Sequence, residues 1–181
     1  MFRTVTTVLI LLLSNAAAAE VSYNYFELGY QESELDLGFT EVDGDGFYGG
    51  LSFSIDESFF FVGDYGSVDI EGVDVERLRA GIGFHSDLNE PVQLVAKVTF
   101  QRLDVGVSDN GYGVSIGGRG EIAPGFEWDL FVDYVDIGEA DTGFSGELRY
   151  KFTPRFAVGL QYETIDELDS LGLHFRWLYG N

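Results

Sequence analysis

Two histidines, His85 and His174, are the side chains in this sequence best suited to acid–base chemistry. A histidine becomes a general base when a carboxylate orients it, and the chain has 31 Asp and Glu against 10 Lys and Arg. The absence of Cys excludes thiolate metal sites, cysteine nucleophiles and disulfides. No GxSxG, HExxH or phosphate-binding motif occurs. We therefore predict no catalytic, cofactor-binding or metal-binding residues.

His174 lies in a stretch that alternates strictly between two kinds of side chain. Over residues 170–179, Leu171, Leu173, Phe175, Trp177 and Tyr179 alternate with Gly172, His174, Arg176 and Leu178. This period of two predicts a strand with one strongly apolar face. His174 takes the polar phase about midway along the barrel, whereas a site at the outer rim would need a His beside an acid pair there, and a lipid-facing site would need an outward His. An enzyme that uses His174 remains the second alternative function.

Nine further stretches repeat this alternation, and their lengths suit tilted strands that cross a bilayer. The ten predicted strands are 21–30, 46–55, 59–69, 73–85, 92–103, 111–122, 126–137, 143–152, 156–165 and 170–179. The fold class is all-β, and we predict a transmembrane antiparallel up-and-down barrel of ten strands, with eight as the alternative. An even number of strands places both termini on the periplasmic side.

The ends of the chain and the aromatic residues favour a membrane barrel over a soluble one. Arg3, the apolar run 5–13 and Ala17-Ala18-Ala19 predict a signal peptide over 1–19, cleaved before Glu20. Residues 20–181 then form the barrel domain. Aromatic side chains cluster near the strand ends, as they do at membrane interfaces. They are Phe26, Tyr30, Phe47, Tyr65, Phe84, Tyr112, Phe126, Trp128, Tyr134, Phe152, Phe156, Tyr162, Trp177 and Tyr179.

The predicted connectors differ in length between the two ends of the barrel. On the periplasmic side we expect tight turns at 56–58, 123–125 and 153–155, and a longer one at 86–91. On the outer side we expect loops at 70–72, 104–110, 138–142 and 166–169, with 31–45 as the longest. None of these loops is long enough to build a lid or a plug domain.

Most basic residues lie at strand positions whose side chains should point into the barrel. Nine basic residues remain after the signal peptide is removed, and seven of them have this inward orientation: Arg77, Arg79, Lys97, Arg119, Arg149, Lys151 and Arg176. The inward acids are Asp64, Glu121, Glu127, Asp129, Asp133, Glu147 and Glu163. Because ten strands are only slightly wider than the eight that side chains just fill, we predict a closed lumen packed with ion pairs. Inward glycines at 81, 83, 113, 117 and 172 keep a narrow pore for small solutes or ions as the first alternative.

Carboxylates dominate the predicted outer loops. They are Glu32, Glu34, Asp36, Glu41, Asp43, Asp45, Asp69, Glu71, Asp74, Asp136, Glu139, Asp141, Asp166, Glu167 and Asp169. Divalent cations that bridge these oxygens to lipopolysaccharide phosphates are one interpretation, and a solvated repulsive rim is the other. The stretch 43–46 lacks the remaining ligands of an EF-hand, so we reject that motif. The net charge of −21 makes nucleic acid an improbable partner.

The last strand also resembles the C-terminal signal of outer-membrane proteins. Ser170, Gly172, Phe175 and Trp177 have its spacing, although residues 178–181 extend beyond its usual end. The resemblance implies recognition of these four residues by the barrel-assembly machinery in a Gram-negative outer membrane.

Three longer stretches carry a second resemblance, at residues 25–30, 75–83 and 111–127. They are similar to a family of small outer-membrane barrels from xanthomonads and related Gram-negative bacteria, once described as quorum-sensing or plant-immunity elicitor proteins. The resemblance implies an outer-membrane barrel and no catalytic residues. From the sequence we expect a monomer with a structural or surface-interaction role.

Overall fold

The computed structural model describes residues 21–180 apart from residues 37, 39–40 and 90–91, so the predicted signal peptide lies outside the described residues. Ten strands follow one another along the chain. They are β1 (Tyr25–Asp36), β2 (Glu41–Ser54), β3 (Phe59–Ile70), β4 (Val73–Asn89), β5 (Val92–Asp104), β6 (Ser108–Ala123), β7 (Phe126–Ile137), β8 (Glu139–Thr153), β9 (Phe156–Ile165) and β10 (Leu168–Leu178). Among the described residues, no helix is long and apolar enough to cross a membrane.

Each strand pairs antiparallel with the next, and β10 pairs with β1 to close the barrel. The ten-strand prediction is therefore confirmed over the eight-strand alternative. Tyr25 pairs with Leu178, so the two ends of the barrel sequence meet at one rim, which we call the terminal end. The opposite rim, where β1 turns into β2, is the loop end. Closure leaves no unpaired sheet edge, which is required of a sheet that crosses a bilayer.

The apolar phase of each strand points outward, as the alternation predicts. Leu130 and Val98 keep 60% and 59% of their surface exposed on this face. Aromatic bands border it at both ends. The terminal-end band is Phe26, Phe53, Phe59, Phe84, Phe126, Phe152, Phe156 and Trp177, and the loop-end band is Tyr30, Phe47, Tyr65, Tyr112, Tyr134 and Tyr162.

Several predicted connectors are too long because strands continue through them. On the outer side, β6 already starts at Ser108 within the predicted loop 104–110, and β8 starts at Glu139 within the predicted loop 138–142, so the predicted difference in connector length between the two ends is wrong. β1 and β2 extend to Asp36 and from Glu41, so the predicted loop at 31–45 is mostly a paired hairpin. The predicted turn at 86–91 is likewise short, since β4 runs to Asn89 and β5 starts at Val92 with a register shift near the turn. The stretch 43–46 lies within β2, where an extended backbone cannot wrap an ion.

The two faces exchange their chemistry beyond the loop-end aromatic band, although the period of two is unbroken. There the outer face carries an acidic band: Glu32, Glu34, Asp36, Glu41, Asp43, Asp45, Asp69, Asp74, Glu76, Asp104, Asp136 and Asp169. The inner face carries an apolar collar: Leu35, Val42, Val68, Ile70, Val75, Leu103, Val135, Ile137, Ile165 and Leu168. The strands therefore have membrane patterning over most of their length and soluble-barrel patterning at the loop end.

Inward glycines on neighbouring strands make room for the collar. A Cβ at Gly44 would lie 2.5 Å from Ile70 Cγ1, and one at Gly143 would lie 2.7 Å from Ile165 Cγ1. Both distances are shorter than carbon atoms tolerate, so the isoleucine side chains cover these glycines. Most collar residues keep intermediate exposure, and Val68 is the most buried at 6%. The collar thus lines most of the loop-end mouth, and the matching inward positions of β6 and β8 carry Asp109 and Asp141 instead.

Candidate functional site

The lumen is the candidate functional site because it gathers the charged side chains into two clusters. The cluster nearer the terminal end, called the terminal cluster, comprises Glu27, Arg119, Glu127, Asp129, Glu147, Arg149, Lys151, His174 and Arg176. The cluster nearer the loop end, called the loop cluster, comprises Asp64, Arg77, Arg79, Lys97, Asp133 and Glu163. All seven predicted inward bases lie in these clusters, which confirms their phase.

Arg149 is the centre of the terminal cluster and is only 1% exposed. Its Nε donates to Glu127 Oε2 at 3.1 Å, and its Nη2 donates to Asp129 Oδ2 at 3.1 Å. Its Nη1 lies 2.9 Å from Glu147 Oε1. One guanidinium therefore contacts three carboxylates from β7 and β8, and Arg119, Lys151 and Arg176 supply the further positive charge that these buried acids need in order to stay charged.

His174 faces the lumen from β10, as its phase predicts, and is 2% exposed. Its Nε2 lies 2.8 Å from Glu147 Oε1 and 3.9 Å from Glu27 Oε2. Arg176 pairs with the same two carboxylates. The histidine therefore has a carboxylate neighbour and is enclosed by the ion pairs that Arg149 and Arg176 form with Glu147. His85, which also faces inward, stacks on Tyr23 with ring centroids 4.2 Å apart.

Glu163 organises the loop cluster from β9. Arg77 donates to it through Nη1 and Nη2 at 2.7 and 3.1 Å, and Arg79 Nη1 donates at 3.2 Å. Arg79 Nε also donates to Asp64 Oδ1 at 2.8 Å. Lys97 Nζ lies over the Phe131 ring, 3.8 Å from its centroid. This cluster joins β3, β4 and β9 across the lumen.

Two small cavities lie where the clusters meet, with volumes of about 110 and 90 Å³. Both are lined by Asp64, Arg79, Lys97, Ser145 and Gln161, so they adjoin each other. A water molecule takes about 30 Å³ in the liquid, so each cavity holds a few waters and no organic substrate of metabolite size. We call these two cavities the lumen chambers.

Three lumen residues escaped the sequence analysis. Glu27 is the partner of Arg176, and its alternation with Phe26 and Leu28 was the signal that could have identified it. Tyr25 lies under the Arg176 guanidinium, 3.8 Å from ring centroid to Cζ. Tyr23 lies in the predicted strand 21–30, but β1 starts only at Tyr25, so the predicted start of this strand is wrong and Tyr23 instead fills the terminal-end mouth. Predicted inward Glu121 is outside both clusters, and its Oε1 accepts from Gly125 N–H at 2.6 Å in the β6–β7 turn.

The acidic band has a shallow concavity of about 570 Å³ on the outer wall of β1, β2 and β10. Glu34 pairs across the ladders with Asp43 and Asp169. The negative charge of Glu41 is the largest cause that raises the pKa of Glu34 above its ordinary value, and Asp43 and Asp169 add to it. No group of three or more potential metal ligands occurs among the described residues.

The four residues of the C-terminal signal all lie on β10. Phe175 and Trp177 point outward and are 47% and 45% exposed. Ser170 and Gly172 point inward, and Ser170 Oγ lies 2.8 Å from Ser33 Oγ. The predicted alternation of this strand is therefore confirmed, with the strand starting at Leu168 and ending at Leu178.

A closed antiparallel barrel with an apolar outer belt, aromatic bands and a charged lumen defines a transmembrane β-barrel of the outer-membrane type. Solved structures share this fold. The chain is similar to the KdgM porin in complex with disordered oligogalacturonate (TM-score 0.53, 6% identity, 86% of this chain and 99% of that chain). It is also similar to an outer membrane channel from Pseudomonas putida F1 (TM-score 0.55, 11% identity, 92% and 98% of the chains).

A third similar structure is the transport unit of the autotransporter AIDA-I from Escherichia coli, with a TM-score of 0.50, 10% identity and coverage of 98% and 97% of the two chains. No protein-family model matches the chain. No curated protein matches its sequence. At these identities the similarity extends to the fold of small outer-membrane barrels and leaves the activity open.

Proposed function

We propose that this protein is a monomeric barrel of the Gram-negative outer membrane that does not conduct at rest and has a structural or surface-interaction role. The observation that carries the proposal is the packing of the lumen, where Arg149 binds three buried carboxylates and Glu163 binds two arginines. Ion passage would require these buried pairs to separate, which is costly.

The orientation follows from the same proposal. Both termini lie in the periplasm, and the acidic band faces outward at the cell surface. This assignment is supported by the even number of strands, which brings the start of β1 and the end of β10 to the same rim. The resemblance of residues 25–30, 75–83 and 111–127 to the small barrel family of xanthomonads supports a Gram-negative source.

The partners that we propose are lipopolysaccharide and the barrel-assembly machinery. The acidic band starts just above Tyr30 and Tyr162, at the depth where lipid phosphates lie, and divalent cations would bridge the two sets of oxygens. The raised pKa of Glu34 supports this idea, because cations would relieve the repulsion among its neighbours. The assembly machinery would bind the edge of β10 through the spacing of Ser170, Gly172, Phe175 and Trp177.

The decisive experiment for the proposed function is planar-bilayer recording of the purified protein. We expect no steady channel, because both ion-pair clusters obstruct the lumen. A heat-modifiable shift on a gel should confirm that the inserted protein is folded, so that silence reflects a closed lumen. Steady conductance from folded, unmodified protein would contradict the proposal and favour the narrow-pore alternative.

The enzyme alternative that uses His174 lacks a favourable geometry. The imidazole is buried between Glu27 and Glu147, and the adjoining lumen chambers are too small for a lipid or peptide substrate. We therefore propose no catalytic role.

Processing of the N-terminus is a separate expectation. Because Ala17 and Ala19 form the small-x-small site, mass spectrometry of protein extracted from outer membranes should identify Glu20 as the first residue. The matched variant Ala19→Leu should retain the precursor, since signal peptidase requires a small residue at that position. A native chain that retains Met1 would contradict the assignment.

A further inference from the structure

The terminal-end mouth is crossed by a short segment that belongs to no strand. Residues 21–24 precede β1, and we call them the N-terminal strap. Tyr23 is its central residue and is 5% exposed. The Tyr23 ring lies 4.4 Å from the Phe60 ring and 4.2 Å from the His85 ring, measured between centroids. An aromatic side chain is therefore seated inside the barrel without being part of its wall.

The strap reaches from one wall of the barrel to the other. In the ring of ten strands, β6 is five strands away from β1 in either direction and is thus diametrically opposite. Tyr23 nevertheless has the Arg119 guanidinium of β6 4.8 Å from its ring centroid. Its hydroxyl donates to Gln93 Oε1 of β5 at 2.9 Å. The Tyr23 side chain consequently meets side chains of β5 and β6 from the far side of the lumen.

The strap is attached to the wall by individual bonds and not by a strand ladder. Ser54 N–H donates to Asn24 Oδ1 at 2.8 Å, and Tyr179 N–H donates to the Asn24 carbonyl at 3.1 Å. These bonds hold the base of the strap, whereas the Tyr23 contacts hold its tip. Because none of the ten ladders depends on Tyr23, its tip can leave while the barrel stays intact.

The strap separates the periplasmic side from the charged lumen. Tyr23, Phe60 and Val95 form the buried apolar cluster of the interior, with Val62 and Phe131 packed against it. Val62 and Phe131 also line a lumen chamber, so the seal and the chamber share a wall. At the other mouth the residues of the apolar collar are mostly only partly buried. The strap is therefore the tighter of the two seals. It is also the one that can be displaced without breaking the barrel wall, because no strand ladder includes Tyr23.

We propose that the N-terminal strap is a movable gate, and that Tyr23 controls the access of water and small ions from the terminal end to the lumen chambers. This goes beyond the proposed function, which concerns the resting state alone. In the closed state the ring occupies the mouth. When the ring leaves, Arg119 becomes hydrated and the terminal cluster meets water from the periplasmic side, while the collar limits passage at the loop end by dewetting.

The natural absence of Cys permits a direct test with a single engineered thiol. Gln161→Cys places the thiol in the wall that both chambers share. The rate of its reaction with a small cationic methanethiosulfonate is measured on folded protein in micelles. Adding Tyr23→Ala should raise this rate about tenfold or more, which corresponds to about 1.4 kcal/mol of lost closing free energy. Gln93→Leu, which removes the acceptor of the Tyr23 hydroxyl together with a bond to Asp87 but leaves the ring in place, should give a smaller increase.

Controls distinguish gating from a general loosening of the barrel. Phe26→Ala removes an aromatic ring at the same end but on the outer face, and it should leave the labelling rate unchanged. An unchanged rate in Tyr23→Ala with native gel mobility would overturn the gate. So would a result in which Val68→Ser in the collar raises the rate and Tyr23→Ala does not. Steady conductance from the unmodified protein would instead refute the proposed function, so the two failures are distinguishable.

Discussion

Replacing Arg149 by Ala should lower the free energy of unfolding by about 3–5 kcal/mol, because it removes a buried positive charge from between three carboxylates, which then share only Arg119, Lys151 and Arg176. Arg149 is the residue for which this effect should be largest, since Glu127, Asp129 and Glu147 all lie within 3.2 Å of its guanidinium. The measurement is urea unfolding of the refolded barrel in lipid vesicles, followed by tryptophan fluorescence.

Arg155→Ala is the matched control for this substitution. Arg155 is exposed in the turn between β8 and β9, and its backbone carbonyl keeps its bond to Leu178 N–H after truncation. The control should change the stability by less than about 1 kcal/mol. Equal, small effects of the two substitutions would mean that water solvates the terminal cluster, and would count against a packed lumen.

The substitution Leu130→Arg should lower stability in lipid by about 2–4 kcal/mol, the cost of a charged side chain on the lipid face near the bilayer midplane. Leu130 lies in the middle of β7, faces outward, and has the small neighbours Gly118 and Gly146 opposite it on both flanking strands. Neither neighbour offers a polar group, so the guanidinium would have to reach an interface along the apolar wall.

Leu88→Arg provides a control with the same chemical change. Leu88 is nearly as exposed as Leu130, at 57% against 60%, but lies near the terminal-end rim of β4. A charge near an interface costs about 0–1 kcal/mol. If Leu130→Arg lowers the free energy of unfolding by no more than Leu88→Arg does, the assignment of the outer face to lipid is contradicted.

The strand count and the phase of the strands could be predicted because both depend on local alternation. Once the apolar face is assigned to lipid, the period of two places Leu130 and Val98 on the outer face and Lys97 and Arg149 on the inner face. The same period predicts which residues belong to the ion-pair network. It does not predict which of them pair with each other. Arg77 contacts Glu163 from across the lumen, and nothing in the sequence signals a pairing between residues 86 positions apart.

The first hairpin was mispredicted for a specific reason. Glu32, Glu34 and Asp36 occupy the outward phase, which elsewhere is apolar, so a rule that equates outward with apolar ends the strand at Tyr30. The alternation itself continues through Ser33 and Leu35 with the chemistry exchanged. The same exchange hid the apolar collar. The strap is predicted as the start of the strand 21–30, because Tyr23 continues the two-residue phase of Tyr25 and Glu27. Its departure from the wall depends on contacts with Phe60 and His85, which are distant in sequence and leave no local signal.

The exchange of chemistry at the loop-end aromatic band also fixes how thick a membrane this barrel tolerates. Each two-residue step along a tilted strand moves about 5 Å along the bilayer normal. Sinking by one such step would bring Glu32 and Asp45 to the level of Tyr30 and Phe47, where carboxylates lose hydration. A hydrocarbon layer thicker than the apolar belt therefore has to thin locally around the barrel. Hydrophobic mismatch at this one edge would thus sort the protein among membranes of different thickness.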